Sequence, residues 1–167
     1  IALEHRCRLR AGETLVVLGA AGSSGAAAVQ LGKAMGAQVI AVASAAKLDF
    51  CRHSGADHAL DYKSDDIAFR IGEITGGSGA DVVFDPVGGE VGAAAAKSIA
   101  RLGRFGLIGF ASGSWTALDP HDMILRNYSA VGIFAGVMTA AEITTTIADL
   151  TRFAEAGQIR TPVTRVF

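Results

Sequence analysis

The chain has 167 residues, of which half are hydrophobic and 19% are charged, and its formal net charge is -1. This length predicts one domain of ordinary size. The near-neutral charge gives no electrostatic case for binding a nucleic acid or an anionic membrane, and no apolar run reaches the ~18 residues of a membrane span. The spacing of Cys7 and Cys51 matches no metal or redox motif, so we expect both to be packing residues. The lack of a disulfide framework indicates a reducing cytoplasm.

Apolar runs alternate with helical patterns along the chain. The predicted strands are residues 14–19, 38–43, 58–62, 81–85, 104–109 and 129–134. The predicted helices are residues 23–35, 45–54, 65–74, 90–100, 119–126 and 139–156. Continuously apolar strands separated by helices predict an α/β Rossmann fold, with a doubly wound six-stranded parallel sheet and helices on both faces.

A glycine-rich turn joins the first strand to the first helix. It resembles the pattern G-x-G-x-x-G with alanine in the first position, which is acceptable if that residue needs no positive φ. The second glycine would let the backbone approach a pyrophosphate, and the third would let helix and strand pack closely. The helix start adds free N–H groups. The predicted cofactor-binding residues here are Ala20, Ala21, Gly22, Ser23, Ser24 and Gly25; the alternative is a tight turn without a ligand.

The end of the second strand favours NADP over NAD. An NAD site expects an acidic residue there to bond the ribose 2′-hydroxyl. Residues 43–47 carry none, and Asp49 is expected inside the next helix. Ser44 can donate a hydrogen bond to a 2′-phosphate and Lys47 can supply a charge. Alternatively, Ser44 caps the helix and Lys47 is a solvated surface residue.

Three further segments follow later strands at their carboxyl ends, the edge at which open α/β sheets bind ligands. The predicted contacts are Val87 and Gly88 after the fourth strand, Gly109, Phe110 and Ala111 after the fifth, and Phe134 after the sixth. The alternatives are a plain strand end in which Asp85 bonds turn amides, and core or interface roles for the phenylalanines. No histidine has metal-ligand spacing, so we expect no zinc and no catalytic acid or base in this chain.

Taken together, these motifs resemble the zinc-independent quinone oxidoreductase branch of the medium-chain dehydrogenase/reductase superfamily. The likeness covers nearly the whole chain and is carried by residues 12–17, 20–25, 28–31, 55–58, 61–62 and 82–89. It implies a domain that binds NADPH, with Tyr62 joining Ser44 and Lys47 around the 2′-phosphate. It also implies a homodimer that pairs through the sixth strand, at about residues 129–134.

The resemblance further implies that this chain is part of a longer protein. Residues 1–157 would form the NADP-binding Rossmann domain, and residues 158–167 would begin the return to a catalytic domain that is largely absent. The whole protein would transfer hydride from NADPH to a quinone or another conjugated carbonyl. This chain alone would bind the cofactor but catalyse that reaction poorly. The alternatives are the enoyl reductase module of a polyketide or fatty acid synthase, a zinc-free alkenal reductase, a zinc alcohol dehydrogenase, and a non-catalytic NADPH-binding sensor.

Overall fold

Six parallel strands form a single sheet in the computed structural model, which describes residues 1–161. The strands are β1 (Thr14–Leu18), β2 (Gln38–Ala43), β3 (His58–Asp61), β4 (Ala80–Asp85), β5 (Ile99–Leu107) and β6 (Ser129–Gly132). Their order is β3-β2-β1-β4-β5-β6, and every neighbouring pair is parallel. The strand order reverses between β1 and β4, which is the doubly wound arrangement. The predicted fold class is therefore confirmed.

Helices cover both faces of this sheet. They are α1 (Ser23–Ala34), α2 (Leu48–His53), α3 (Ile67–Ile74), α4 (Gly89–Ala96), α5 (Pro120–Arg126) and α6 (Ala140–Glu155), with short helical turns at Ala2–Arg6, Ala45–Lys47 and Ala135–Val137. Alternate residues of β1 point into two separate cores, since side chains alternate along a strand. Leu15 and Val17 join one core, whereas Val16 and Leu18 join the other. The central strand is thus buried on both sides, as the apolar sequence predicts.

The predicted boundary between the fourth helix and the fifth strand is wrong. The helix ends at Ala96 instead of residue 100, and β5 already begins at Ile99. The alanine-rich run favours helix by propensity, but pairing of Ile99 with Ala80 of β4 prevails. Between this pair and the pair of Val82 with Arg104, the strand bulges and Leu102 takes a φ of +63°.

The N-terminal segment is fastened to β5 through Arg104. Its guanidinium donates to the carbonyls of Cys7 and Arg8 at 2.7 and 3.0 Å and to the Glu13 carboxylate at 2.6 Å. Burial acts to raise the pKa of Glu13, but the hydrogen bonds and charge of Arg104 and Arg10 hold that pKa below its ordinary value. The Glu13–Arg104 pair lies at the edge of the sheet where strands begin, opposite the edge where they end.

Both cysteines pack in the interior, as predicted. Cys7 and Cys51 are at most 1% exposed, and they form no disulfide. Burial raises the pKa of Cys7 to about 11, so its thiol stays protonated at neutral pH. Little room is left at Gly106 in β5, because a Cβ there would lie 3.0 Å from Cδ1 of Ile133 and 3.1 Å from the Cys7 sulfur.

After α6, the chain runs back towards α1. The amide of Arg160 donates to the side-chain oxygen of Gln30 at 2.6 Å. Most of the predicted return segment, residues 162–167, lies outside the described residues. Within residues 1–161, no helix combines the length and the apolar character needed to cross a bilayer.

Candidate functional site

The glycine turn, residues 19–25, lies where β1 ends and α1 begins, at the point where the strand order reverses. Gly19 has a φ of +59° and its carbonyl accepts from the amide of Gly22 at 2.9 Å. Ala20 does not have a positive φ, so the condition for alanine in the first motif position is met. Ala20 is fully buried, and its amide donates to the carbonyl of Val42 on β2.

The start of α1 packs directly onto this turn. A Cβ at Gly25 would overlap the carbonyl oxygen of Gly19 and lie 2.8 Å from the Cα of Ala20. The role of Gly25 in close packing is therefore confirmed. Only glycine at this position lets the helix begin so close to the strand.

The backbone of the turn is open to a ligand. Gly22, Ser23 and Ser24 are exposed, and the N-cap residue Gly22 offers no side chain to the helix start. The first amides of a helix have no intrahelical acceptor, and within residues 1–161 none of the amides of Ser23, Ser24 and Gly25 bonds to a group outside α1. Free amides at a helix N-terminus bind anions such as phosphate, so the turn fits a diphosphate.

The ends of β2 and β3 bring Ser44, Lys47 and Tyr62 to one corner, which we call the β2–β3 corner. The amide of Tyr62 donates to the carbonyl of Ala43 at 3.2 Å, which places Tyr62 beside Ser44. Ser44 occupies the N-cap position of the following helical turn, but its hydroxyl makes no capping hydrogen bond. The alternative that Ser44 is an N-cap residue therefore holds for its position, although its side chain does not cap the helix.

The β2–β3 corner is rich in cations and its acidic neighbours are engaged elsewhere. Lys47 is exposed and pairs with no carboxylate within residues 1–161. The Lys63 ammonium lies 5.9 Å from the centre of the Tyr62 ring, and sequence reasoning missed this second cation. Asp49 pairs with Arg52, while Asp61 accepts from the hydroxyl of Ser64 within its own loop.

The loops that follow β4 and β5 form a second corner, which we call the β4–β5 corner. Val87 packs over the glycine turn, because its Cγ2 lies 2.8 Å from where a Cβ of Gly19 would be. Asp85 accepts from the amides of Val87 and Gly88 at 2.9 and 2.8 Å. The alternative left open for Asp85, bonding of turn amides, is thus confirmed.

Backbone hydrogen bonds hold the loop after β5 against the loop after β4. The amide of Gly109 donates to the carbonyl of Asp85, and the amide of Ala111 donates to that of Pro86, at 3.2 and 3.1 Å. The structure therefore brings Gly109 and Ala111 beside Val87, one of the predicted contacts after β4. Gly88 itself is buried beneath the carbonyl of Ser114.

Three exposed aromatic residues mark the far end of the same edge. The rings of Phe110 and Trp115 stack with centroids 4.7 Å apart, and Phe134 after β6 is 74% exposed. Trp115, Phe134 and Val137 line a cleft of about 590 Å³. Neither phenylalanine is a core residue, so the core alternative is wrong for both, whereas an interface role stays a prediction. Sequence reasoning missed Trp115, although it is the only tryptophan and stands in a loop of small residues.

All predicted site residues therefore lie along one edge of the sheet, where strands end. The glycine turn is central, the β2–β3 corner is on one side, and the β4–β5 corner with Phe134 is on the other. Across residues 1–161, no group of three or more His, Cys, Asp or Glu side chains is arranged to hold a metal ion. Direct contact of each residue with a cofactor remains a prediction.

Comparison with known proteins identifies the class. A family model described as zinc-binding dehydrogenase matches residues 25–152, so the chain belongs to this family. Within the family, homologues and structural neighbours define it as a cofactor-binding domain of the zinc-independent quinone oxidoreductase type, in the medium-chain dehydrogenase/reductase superfamily. The predicted resemblance is confirmed.

Individual relatives agree with this assignment. Quinone oxidoreductase-like protein 2 of Bos taurus is 36% identical over 137 residues, which cover 81% of this chain and 39% of the relative. A mycobacterial protein complexed with NADPH has a TM-score of 0.88 at 29% identity, covering 96% of this chain and 52% of that one. The enoyl reductase CurK has a TM-score of 0.85 at 27% identity, covering 99% and 50%. The chain spans about half, or less, of these proteins.

Proposed function

We propose that this chain is the NADPH-binding domain of a reductase that acts on a quinone or another conjugated carbonyl. The observation that carries the proposal is the open glycine turn, whose free helix amides stand beside a corner with two cations. The carboxylates of Asp49 and Asp61 at this corner are hydrogen-bonded to groups of the chain itself. When bound, NADPH supplies the hydride. The residues of this chain bind and orient the cofactor, and no catalytic acid or base is assigned to them.

Each part of the cofactor has a set of residues suited to it. The amides of Ser23, Ser24 and Gly25 hold the diphosphate, since they point outward from the start of α1. Ser44, Lys47 and Tyr62 surround the 2′-phosphate, and Lys63 adds a second charge. The loops of the β4–β5 corner orient the nicotinamide half and exclude water from one of its faces.

The preference for NADPH is tested by calorimetry on the 167-residue chain. We expect NADPH to bind more tightly than NADH, and Lys47→Ala to weaken NADPH binding about 10-fold or more while leaving NADH unchanged. Lys97→Ala is the matched control, because Lys97 is exposed on the far side of the molecule, at the end of α4. Equal affinities of the wild type for the two cofactors would contradict the proposal.

A second candidate is an enoyl reductase module, and the similarity to CurK favours it. The two candidates share the cofactor domain and differ in the acceptor. The whole protein, assayed with NADPH, should oxidise the cofactor with a quinone if the first proposal holds and with an enoyl thioester if the second holds. Bound NADPH that no acceptor oxidises would indicate a sensor instead.

We also propose a homodimer in which β6 pairs with its copy. Ala130 and Gly132 are exposed on this edge strand. The carbonyl of Gly132 accepts from the Arg6 guanidinium at 3.0 Å, and the rest of the edge is prone to pairing. The amide of Ile133 donates to the carbonyl of Leu107 on β5. Because successive amides of a strand point to alternate sides, the amide of Ala130 points away from β5. Ala130→Pro should remove that donor and give a monomer in sedimentation, whereas Ala130→Val should leave the dimer intact. A monomeric wild type would contradict the dimer.

A cytoplasmic location is part of the proposal. The two cysteines are free and buried, which suits a reducing compartment. Fractionation of cells that express the whole protein, followed by immunodetection, tests this. Recovery in the soluble cytoplasmic fraction is expected, and recovery in an oxidising compartment would contradict it.

A further inference from the structure

A buried carboxylate joins the two loops of the β4–β5 corner. Asp85 is 0% exposed, and its Oδ1 accepts from the amides of Val87 and Gly88. Its Oδ2 accepts from the hydroxyl of Thr116, a residue that is 31 positions away and 8% exposed. A carboxylate removed from water needs such donors, because an unpaired buried charge is costly. We call this arrangement the Asp85–Thr116 clasp.

The surrounding residues are shaped to admit the clasp. A Cβ at Gly92 of α4 would overlap the Thr116 hydroxyl and lie 2.8 Å from the Asp85 carboxylate. A Cβ at Gly88 would overlap the carbonyl of Ser114. Glycine at positions 88 and 92 therefore allows the loop after β5 to sit directly on the loop after β4.

The clasp lies on the nicotinamide side of the proposed cofactor. A dinucleotide whose diphosphate sits at β1 extends in both directions along the edge of the sheet. If its 2′-phosphate is at the β2–β3 corner, its nicotinamide must lie over β4 and β5, which are on the other side of β1. Both loops joined by the clasp carry predicted contacts for that half, such as Val87 and Ala111.

We propose that Asp85 and Thr116 are positioning residues that hold the β4 and β5 loops together for the nicotinamide half of the cofactor. This inference rests on the proposed function. The two residues act through the loops: Asp85 fixes the amides at 87 and 88, while Thr116 fixes the far end of the loop that begins at Gly109.

Binding of two ligands separates this role from a general loss of structure. Thr116→Val keeps the shape and removes the hydroxyl; it should weaken NADPH binding at least about fivefold. It should leave the affinity for 2′,5′-ADP unchanged, because that ligand has no nicotinamide. Thr116→Ser should restore NADPH binding. Lys47→Ala is the matched contrast, since it should weaken the binding of both ligands. The proposal would be overturned if Thr116→Val weakened the binding of both ligands equally, or if it weakened the binding of neither.

A second measurement tests the clasp without any cofactor. In the free chain, hydrogen exchange at the amides of Val87 and Gly88 should be faster in Thr116→Val than in the wild type and should recover in Thr116→Ser. Gly92→Ala should behave like Thr116→Val, although alanine suits a helix better than glycine. Unchanged exchange in both variants would overturn the clasp. A wild type that fails to bind NADPH would instead remove the proposed function, and the exchange result would still decide the clasp.

Discussion

The two corners of the carboxyl edge are built in opposite ways. At the β2–β3 corner, Lys47 and Tyr62 are exposed and the Ser44 hydroxyl makes no capping bond. At the β4–β5 corner, the Asp85 carboxylate is fully buried and bonded to both loops. The first corner presents side chains to a ligand, whereas the second presents backbone that the fold itself holds in place.

This difference separates specificity from stability. A change of an exposed cation should alter which cofactor binds without altering the free energy of unfolding, since surface charges contribute little to it. A change in the β4–β5 corner should alter both the affinity for the cofactor and the free energy of unfolding, because the same hydrogen bonds hold the fold and shape the site.

The largest effect is expected at Gly25, between the two corners. Gly25→Ala places a Cβ against the carbonyl of Gly19, so either the turn or α1 must shift. We expect loss of measurable NADPH binding in calorimetry and a decrease of about 2–4 kcal/mol in the free energy of unfolding.

The matched control for Gly25→Ala is Gly72→Ala in α3, where a Cβ would meet nothing within 4 Å. That variant should bind NADPH normally and gain about 0.5–1 kcal/mol of stability. If Gly25→Ala bound NADPH as well as Gly72→Ala does, the close approach of helix and turn would not matter for the site.

An intermediate effect, on the free energy of unfolding alone, is expected at the edge of the sheet where strands begin, opposite the carboxyl edge. The pKa of Glu13 is lowered from 4.5 in the folded chain, with Arg104 as its main partner. A carboxylate with a depressed folded pKa stabilises the fold above its unfolded pKa and loses that contribution as the pH falls through the folded value. Glu13→Gln should therefore cost about 1–2 kcal/mol at pH 7 and progressively less below pH 4.5.

Chemical denaturation of wild type and Glu13→Gln across this pH range measures the difference. NADPH affinity should be the same in both proteins, because Glu13 lies at the edge where strands begin. A constant stability difference from pH 7 to pH 3 would show that the ion pair with Arg104 is not its source, given that the contribution should be lost as the pH falls through the folded pKa.

The smallest effect is expected at Lys63, whose ammonium stands over the Tyr62 ring. Lys63→Ala should weaken NADPH binding about two- to fivefold, since an exposed charge is screened by water and salt. NADH affinity and unfolding should not change. Lys97→Ala again serves as the control, and an equal effect of both lysine variants on NADPH would indicate long-range attraction instead of a contact.

The fold and the centre of the site could be predicted because their signals are local. Continuous apolar strands between helices indicated a parallel sheet, and the spacing of Gly22 and Gly25 indicated the turn. The lack of an acidic residue at the end of β2 can also be seen directly in the sequence. These features depend on residues that are near one another in the chain.

The features that sequence reasoning missed depend on residues that are distant or weakly marked. Thr116 meets Asp85 only because β5 lies beside β4, and no local pattern distinguishes this threonine. The early start of β5 at Ile99 was hidden by an alanine-rich run, where long-range pairing overrides helix propensity. Lys63 went unnoticed because its place depends on how the loop after β3 turns.

A crystal structure of this chain grown with NADPH would show whether the glycine turn binds the diphosphate. We expect the diphosphate against the amides of Ser23, Ser24 and Gly25, with the 2′-phosphate beside Ser44 and Lys47. Crystals in which the nucleotide binds elsewhere, while the glycine turn carries no phosphate, would contradict it.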